Sequence, residues 1–279
     1  MKREHSLKRR LKSLETLSES VAAMKSLSAH HFRSTRAGLL AARAYRAGIE
    51  AAVSSLDFPE MDDNGGPRGL LIIGADLGLC DGYNSRLTQM AIAEATGNET
   101  VGGPVEQVYC IGHRSIPTLR RAGLPLSRTY STPTSVAGLT DVLLAVAEDV
   151  LTDYLDGRIA RLTVVSARFE GVGEFTPIST ELLPVSAPEQ ASRHPPSDYI
   201  DRRHLIAVAL REYLYIELYQ TLLDSLASEH GARLVATEAA GEWLEEKSSG
   251  TRRQLSSVRR EGATQEVLDI AAACRRRQK

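Results

Sequence analysis

The chain has 279 residues, 42% of them hydrophobic and 25% charged, with a formal net charge of −1. These values allow one or two domains with a buried core and argue against a disordered or fibrous protein. The near-zero total hides an asymmetry: residues 1–50 hold eleven Lys or Arg against four Asp or Glu, residues 252–279 hold eight against three, and the middle is therefore acidic.

The opening segment, MKREHSLKRRLKS, lacks the apolar core of a secretion leader. No run of about 18 apolar residues predicts a membrane span. Residues 2–57 contain no proline. Within them Leu7, Leu11, Leu14, Leu17, Val21, Met24 and Leu27 recur at three- and four-residue steps with charges between, close to a heptad seam. The seam then turns small, through Ala37, Ala41, Ala42, Ala44, Ala47, Ala51 and Ala52. Alanine favours helix and lets a second helix approach closely. One long helix over 1–57 is predicted.

Residues 58–68, FPEMDDNGGPR, break the pattern. The period then changes. Gly69–Ala75 is a short continuous apolar run, the mark of a strand buried on both faces. Gly82–Thr96 reads as a helix capped by Asn84 or Ser85, Gln107–Gly112 as a strand, and Ser115–Ala122 as a short helix. Leu124–Tyr130 fits an edge strand, Thr140–Leu155 a helix starting at Thr140, and Leu162–Phe169 a further strand. Residues 170–203 carry five prolines and read as loop or edge strand. This alternation predicts a mainly parallel, Rossmann-like α/β domain over 68–185.

From His204 to Arg277 proline is again absent, and Leu205, Val208, Ala209, Leu222, Leu226, Leu255, Val258, Val267 and Ile270 keep helical spacing. About 70 helical residues reach on the order of 100 Å, too long for one compact domain. A helix over 204–279 lying antiparallel to the first is the simplest arrangement, with the α/β domain inserted between them. Gly231, Gly241, Gly250 and Gly262 are unusual inside such a helix. Each costs about 1 kcal/mol against alanine, so either a neighbour approaches closely or the helix is compliant.

The turn GADLGLCDGYN (74–84) is the only glycine-rich stretch after a strand. Its glycines, Gly74, Gly78 and Gly82, are four apart, which is not the dinucleotide fingerprint, and no phosphate-loop lysine follows. Asp76, Cys80 and Asp81 have no histidine near them in sequence, although a nucleophile's partners meet only in the fold. Cys80, Cys110 and Cys274 are scattered, fit neither a disulfide framework nor a zinc site, and suggest a reducing compartment. His30, His31 and His204, and Tyr213, Tyr215, Tyr219 and Trp243, read as surface or packing residues. No cofactor or metal is expected, and nothing here favours catalysis by the chain itself.

Three separated segments resemble the gamma subunit of F-type ATP synthases. RLKSLETLSESVAAMKSL (10–27) looks like that family's N-terminal helix, with Ala23, Met24 and Lys25. IIGADLGLCDGYNSRL (72–87) is similar to its strand followed by D-x-G-L-C-G-G-x-N. ELYQTLLDSLASEHGARLVA (217–236) and ATQEVLDI (263–270) are similar to its two C-terminal signatures. The resemblance implies an antiparallel coiled coil standing inside a ring of alpha and beta subunits. It places the α/β domain against the epsilon subunit and the c-subunit ring, at the cytoplasmic face of the membrane. It implies a rotor shaft without a catalytic site, coupling proton or sodium translocation to ATP synthesis or hydrolysis at beta. In that family the residues matching Arg233 and Gln265 contact beta's catch loop, the residue matching Met24 lies nearby beside Lys25, and Thr264 and Glu266 match neighbouring positions. The basic ends fit a shaft facing acidic loops of beta.

The chain also departs from the family. Asp81 replaces a glycine; Glu15, Glu19 and Ala22 stand where lysine is usual; Ala263 replaces isoleucine; Gly241–Glu242–Trp243 replaces T-D-N; and the end is charged. Two other readings are a basic coiled coil carrying an α/β head on nucleic acid, and a small α/β enzyme using the 76–84 turn. The acidic middle and the lack of aromatics among the basic runs disfavour nucleic acid as a partner.

Overall fold

The computed structural model describes residues 2–54, 66–97, 104–184 and 202–277. The elements run α1 (Lys2–Ser54), β1 (Arg68–Ile73), α2 (Tyr83–Gly97), β2 (Val105–Ile111), α3 (Ile116–Arg121), β3 (Leu126–Tyr130), α4 (Val136–Leu155), β4 (Arg161–Gly171), β5 (Glu174–Leu183) and α5 (Arg202–Arg277). Residues 58–65 of the break and 185–201 of the proline-rich stretch before α5 lie outside the described residues. The chain divides into two compact units, Ser28–Val235 and Met1–Leu27 with Ala236–Lys279. Both long helices contribute to both units, so the division falls inside helices rather than at their ends.

In the unit Ser28–Val235 the sheet order is β3-β2-β1-β4-β5. The first four strands are parallel and β5 runs antiparallel to β4. The central strand explains the architecture. Leu70 and Ile72 join Val108, Cys110, Leu87 of α2 and Leu119 of α3 on one face. Leu71 and Ile73 join Tyr109, Ile111, Leu139 and Val146 of α4, and Leu218 and Leu222 of α5 on the other. A strand covered on both sides cannot alternate polar with apolar, and GLLII does not. Each such leucine or isoleucine stabilises the fold by roughly 2 kcal/mol relative to exposure.

The α/β elements fall close to their expected places, with one difference. Helix α4 begins at Val136 rather than Thr140, after Ser135 in extended backbone, because Leu139 is fully buried and needs the extra turn. Of the two readings of the segment after β4, the edge strand holds for its first part: the chain reverses at Gly173 with φ +79° and β5 pairs with β4, Phe175 opposite Phe169.

The terminal helices need larger corrections. In α1, Leu17 and Leu27 are exposed (53% and 55%), while Leu14, Ser28, Phe32, Thr35, Leu39 and Ala42 are buried and Ser18 and Val21 half-buried. The buried stripe therefore steps four and three alternately. Two successive three-residue steps, Leu11–Leu14–Leu17, each rotate about 60° backwards and carry Leu17 off the seam. Of the expected small seam only Ala42 is buried; Ala37, Ala41, Ala44, Ala47 and Ala51 face solvent as helix formers, and the side chain of Ala52 lies outside the described residues. In α5 every residue from Leu222 to Arg233 is buried. This stretch packs against Phe169 and Phe175 of the sheet hairpin's strands and against α1, where Gly38 meets Leu223 and Arg43 pairs with Asp224 at 3.2 Å.

Candidate partner-binding surface of the terminal helices

In the unit formed by Met1–Leu27 and Ala236–Lys279, α5 offers Thr237, Leu244, Ser248, Thr251 and Leu255 as its buried stripe. These steps alternate as a heptad seam does, but three of the five side chains are hydroxyls. Cross-helix ion pairs fix the register. Lys25 meets Glu238 at 2.8 Å, Glu15 meets Arg252 at 3.0 Å, and Glu4 meets Arg259 at 3.1 Å. Rising numbers on α1 pair with falling numbers on α5, so the helices are antiparallel. These pairs are exposed, and each contributes less than about 1 kcal/mol, more to register than to stability.

The pairing ends where α1 begins. Beyond Val258 every described side chain of α5 is exposed. Val267 and Ile270, expected from their helical spacing to face a partner helix, stand 65% and 60% open, and Leu268 between them is 58% open. Thr264 donates to the Arg260 carbonyl at 2.9 Å, and Gln265 donates from Nε2 to Asp269 Oδ1 at 2.9 Å. Glu266 is exposed beside them. Among the described residues no element covers these aliphatic side chains, and an exposed apolar stretch of this kind is a candidate interaction surface. Met24 is half-buried, and Lys25 beside it is held by Glu238.

Arg233 lies elsewhere, in the unit Ser28–Val235, and is only 2% exposed. Its guanidinium donates to the Gly78 carbonyl at 3.1 Å, to the Leu77 carbonyl at 3.3 Å, and to the Glu229 carboxylate one turn earlier. Burial pushes the Glu229 carboxyl up and Arg233 opposes that shift. Arg233 thus holds the 74–84 turn on α5. The turn's own polar groups are also engaged. Asn84 accepts from the Ala75 amide at 2.8 Å rather than capping its own helix, and the Tyr83 hydroxyl donates to the Ser225 carbonyl at 3.1 Å. Leu79 and Asp81 occupy positive φ, 56° and 27°, and Leu77 and Leu79 show about half their side chains to solvent.

The fold brings Asp76 a histidine that its sequence neighbourhood lacked. Asp76 Oδ1 is 2.7 Å from both the His113 amide and its Nδ1, and Oδ2 accepts from the Thr132 amide at 2.9 Å. These bonds hold the carboxyl below its usual range against the opposing effect of burial. The carboxylate ties together the ends of β1, β2 and β3. Cys80 is buried, and burial raises its thiol, the opposite of what a nucleophilic thiolate needs. The turn is a joint, not a reaction centre.

Sequence reasoning missed Glu229 as the partner of Arg233, although their i,i+4 spacing is the signal for it. It also missed that Arg233 and Gln265 stand in different surroundings, one buried and one exposed, since one helix periodicity runs through both.

Comparison with known proteins covers the whole length. The family model described as ATP synthase matches residues 3–275. The ATP synthase gamma chain of Moorella thermoacetica is 28% identical over 282 residues, covering 95% of this chain and 96% of its own. That of Geotalea daltonii is 25% identical over 278 residues, covering 95% of each. A chain of the Euglena gracilis mitochondrial ATP synthase (OSCP/F1/c-ring, rotational state 3) shares the fold with a TM-score of 0.68 at 14% identity, over 97% of this chain and 93% of that one. A chain of the Tetrahymena thermophila mitochondrial ATP synthase central stalk and c-ring gives 0.56 at 18% identity, over 79% and 98%.

Proposed function

The chain belongs to the ATP synthase family, and on that premise we propose that it is the gamma chain, the central rotor shaft of an F-type ATP synthase. The observation that carries this reading is the end-to-end match to gamma chains, 95% of this chain against 95–96% of theirs. The antiparallel pairing of α1 with α5 supports it. The chain is a non-catalytic subunit. Its partners are the alpha and beta subunits of the catalytic ring, the epsilon subunit and the c-subunit ring. Among the described residues no helix is long and apolar enough to cross a membrane, in keeping with a peripheral place. The finer assignment is the cytoplasmic face, with protons or sodium ions as the coupled ion.

Rotation of an asymmetric shaft couples ion flow to ATP by forcing the beta sites through different affinities. The surface assigned to beta is the bare stretch of α5 with Thr264, Gln265 and Glu266, together with Met24 and Lys25 on α1. Arg233 belongs to the same assignment. Its buried guanidinium either reaches beta after leaving Leu77 and Gly78, or acts through the turn it holds. The nucleic-acid reading gains no support, since the relatives matched along the whole chain are gamma chains.

The test is assembly. Matching alpha and beta subunits mixed with this chain and returned to the membrane sector should pump ions on ATP addition. Substituting Arg233→Gln and Gln265→Ala together should impair pumping or assembly. Unchanged pumping by the double variant would remove both residues from the interface, and a ring equally active without the chain would remove the shaft reading.

A further inference from the structure

Within the unit Ser28–Val235, α1, α4 and α5 leave an open pocket of about 400 Å³ between them. Small-molecule sites usually measure about 300–1,000 Å³. Helix geometry makes the hollow. From α1 it is lined by Gly38, Ala41 and Tyr45, and from α5 by Glu212, Tyr215 and Tyr219. Each set steps three and then four residues, so each lies on one face of its helix. Opposite the tyrosines of α5, α1 offers almost no side chain at Gly38 and Ala41, and space remains. Leu143 of α4 closes the bottom. The two helices run antiparallel here, with Gly38 beside Leu223 and Arg46 on Glu217, so Tyr45 and Glu212 stand toward the same end. The walls are open to solvent: Tyr45 is 55% exposed, Ala41 is exposed, and Glu212, Tyr215 and Tyr219 are half-buried. Among the described residues the Glu212 carboxylate has no ion pair, the three tyrosine hydroxyls have no hydrogen-bond partner, and no lysine or arginine lines the pocket. The neighbouring arginines of α1 are engaged elsewhere, Arg43 with Asp224 at 3.2 Å and Arg46 with Glu217.

From this lining we infer that the pocket binds a small organic cation, an aryl- or alkylammonium ion. Its charge sits beside Glu212 among the three tyrosines, and its apolar body fills the hollow over Ala41. Each part has a physical reason. A tyrosine attracts a cation through its ring face, and its hydroxyl oxygen accepts from an ammonium N–H, so both ends of the side chain favour the same charge. A half-buried carboxylate without a counter-charge attracts a cation and repels an anion. A bare metal ion gains little here, because calcium takes six to eight oxygen ligands and the pocket offers one carboxylate. A neutral molecule could fill the hollow but would leave Glu212 uncompensated. The pocket lies apart from the surface assigned to beta, except that α1 and α5 serve both, and its test does not depend on the shaft reading.

The experiment titrates the purified full chain calorimetrically with benzyltrimethylammonium, which should bind saturably at one site. Benzyl alcohol and benzenesulfonate, neutral and anionic probes of similar size, should bind at least about tenfold more weakly. Glu212→Gln should weaken binding of the cation about tenfold and leave that of benzyl alcohol unchanged. Tyr45→Leu should weaken it about threefold through loss of the ring. Ala41→Leu, at an exposed position of α1, should fill the hollow and abolish binding while circular dichroism stays as in the wild type. Glu148→Gln, the same charge change on an exposed position of α4 outside the pocket, should leave binding unchanged. No saturable binding of the cation, neutral or anionic probes that bind as tightly, or undiminished binding by Glu212→Gln would each overturn the proposal.

Discussion

At the scale of single residues, the informative positions are those where the backbone or burial opposes the side chain. Asp81 sits at φ +27° where the resembled family has glycine. A non-glycine residue there stores strain of about 1 kcal/mol or more, least for Asp and Asn. Asp81→Gly should therefore raise the thermal unfolding midpoint, by roughly 1 kcal/mol of stability, even though glycine usually destabilises; a lower midpoint would show that the carboxylate offsets the strain. His230 is a second case. Its ring stacks on His31 at 5.2 Å between centroids. Burial holds it neutral, with Arg233 and His31 adding to the effect, so its pKa falls to about 3, and His31 is lowered too. A base whose folded pKa is depressed gives stability that is complete above its unfolded value, near 6.5, and is lost as pH falls through the window between the two. For His230 alone the loss is about 2 kcal/mol between pH 6.5 and about pH 5. Urea midpoints at about pH 7 and pH 5 should separate in the wild type and converge in His230→Leu; parallel shifts would place the titration elsewhere. None of this could be read from the sequence, where His30 and His31 read as isolated surface or seam residues and nothing marked His230. What pairs His31 with His230 is two helices from opposite ends of the chain.

At the scale of elements, β1 was legible because a strand covered on both faces must be continuously apolar. The two long helices were legible in extent but not in facing. Heptad reading of α1 rewards leucine, and the seam uses Ser18, Ser28 and Thr35 where Leu17 and Leu27 were the natural choice. Small hydroxyl side chains bond back to their own helix, as Thr35 does to the His31 carbonyl at 2.8 Å, so they are buried without an unsatisfied group. The helix glycines also divide, and the sequence could not divide them. A Cβ on Gly231 would lie 3.2 Å from the Gly173 amide nitrogen and 3.4 Å from Phe32, whereas on Gly241, Gly250 or Gly262 it would meet nothing within 4 Å. Gly231→Ala should cost about 1–3 kcal/mol through overpacking. Gly250→Ala should gain up to about 1 kcal/mol through helix propensity. Calorimetry on the pair checks this: a midpoint for Gly250→Ala below wild type would mean that the helix needs its compliance to fold. If the gain in stability comes with lower ATP-driven pumping, compliance is what the glycine supplies.

At the scale of the whole molecule, the described residues leave part of the chain's apolar surface uncovered. The last turns of α5 keep Val267, Leu268 and Ile270 in water, and the conspicuous polar groups of the α/β domain close internal joints instead of surrounding a substrate. A protein built this way works by what it touches. The central claim, that this chain is a shaft turned inside a ring, is tested most directly by fixing the alpha–beta ring to a surface and attaching a bead to the α/β domain of this chain. With ATP the bead should turn in one direction for as long as ATP is hydrolysed, and it should stop when hydrolysis is inhibited. A bound, active ring whose bead stays still while ATP is consumed at the full rate would contradict the account.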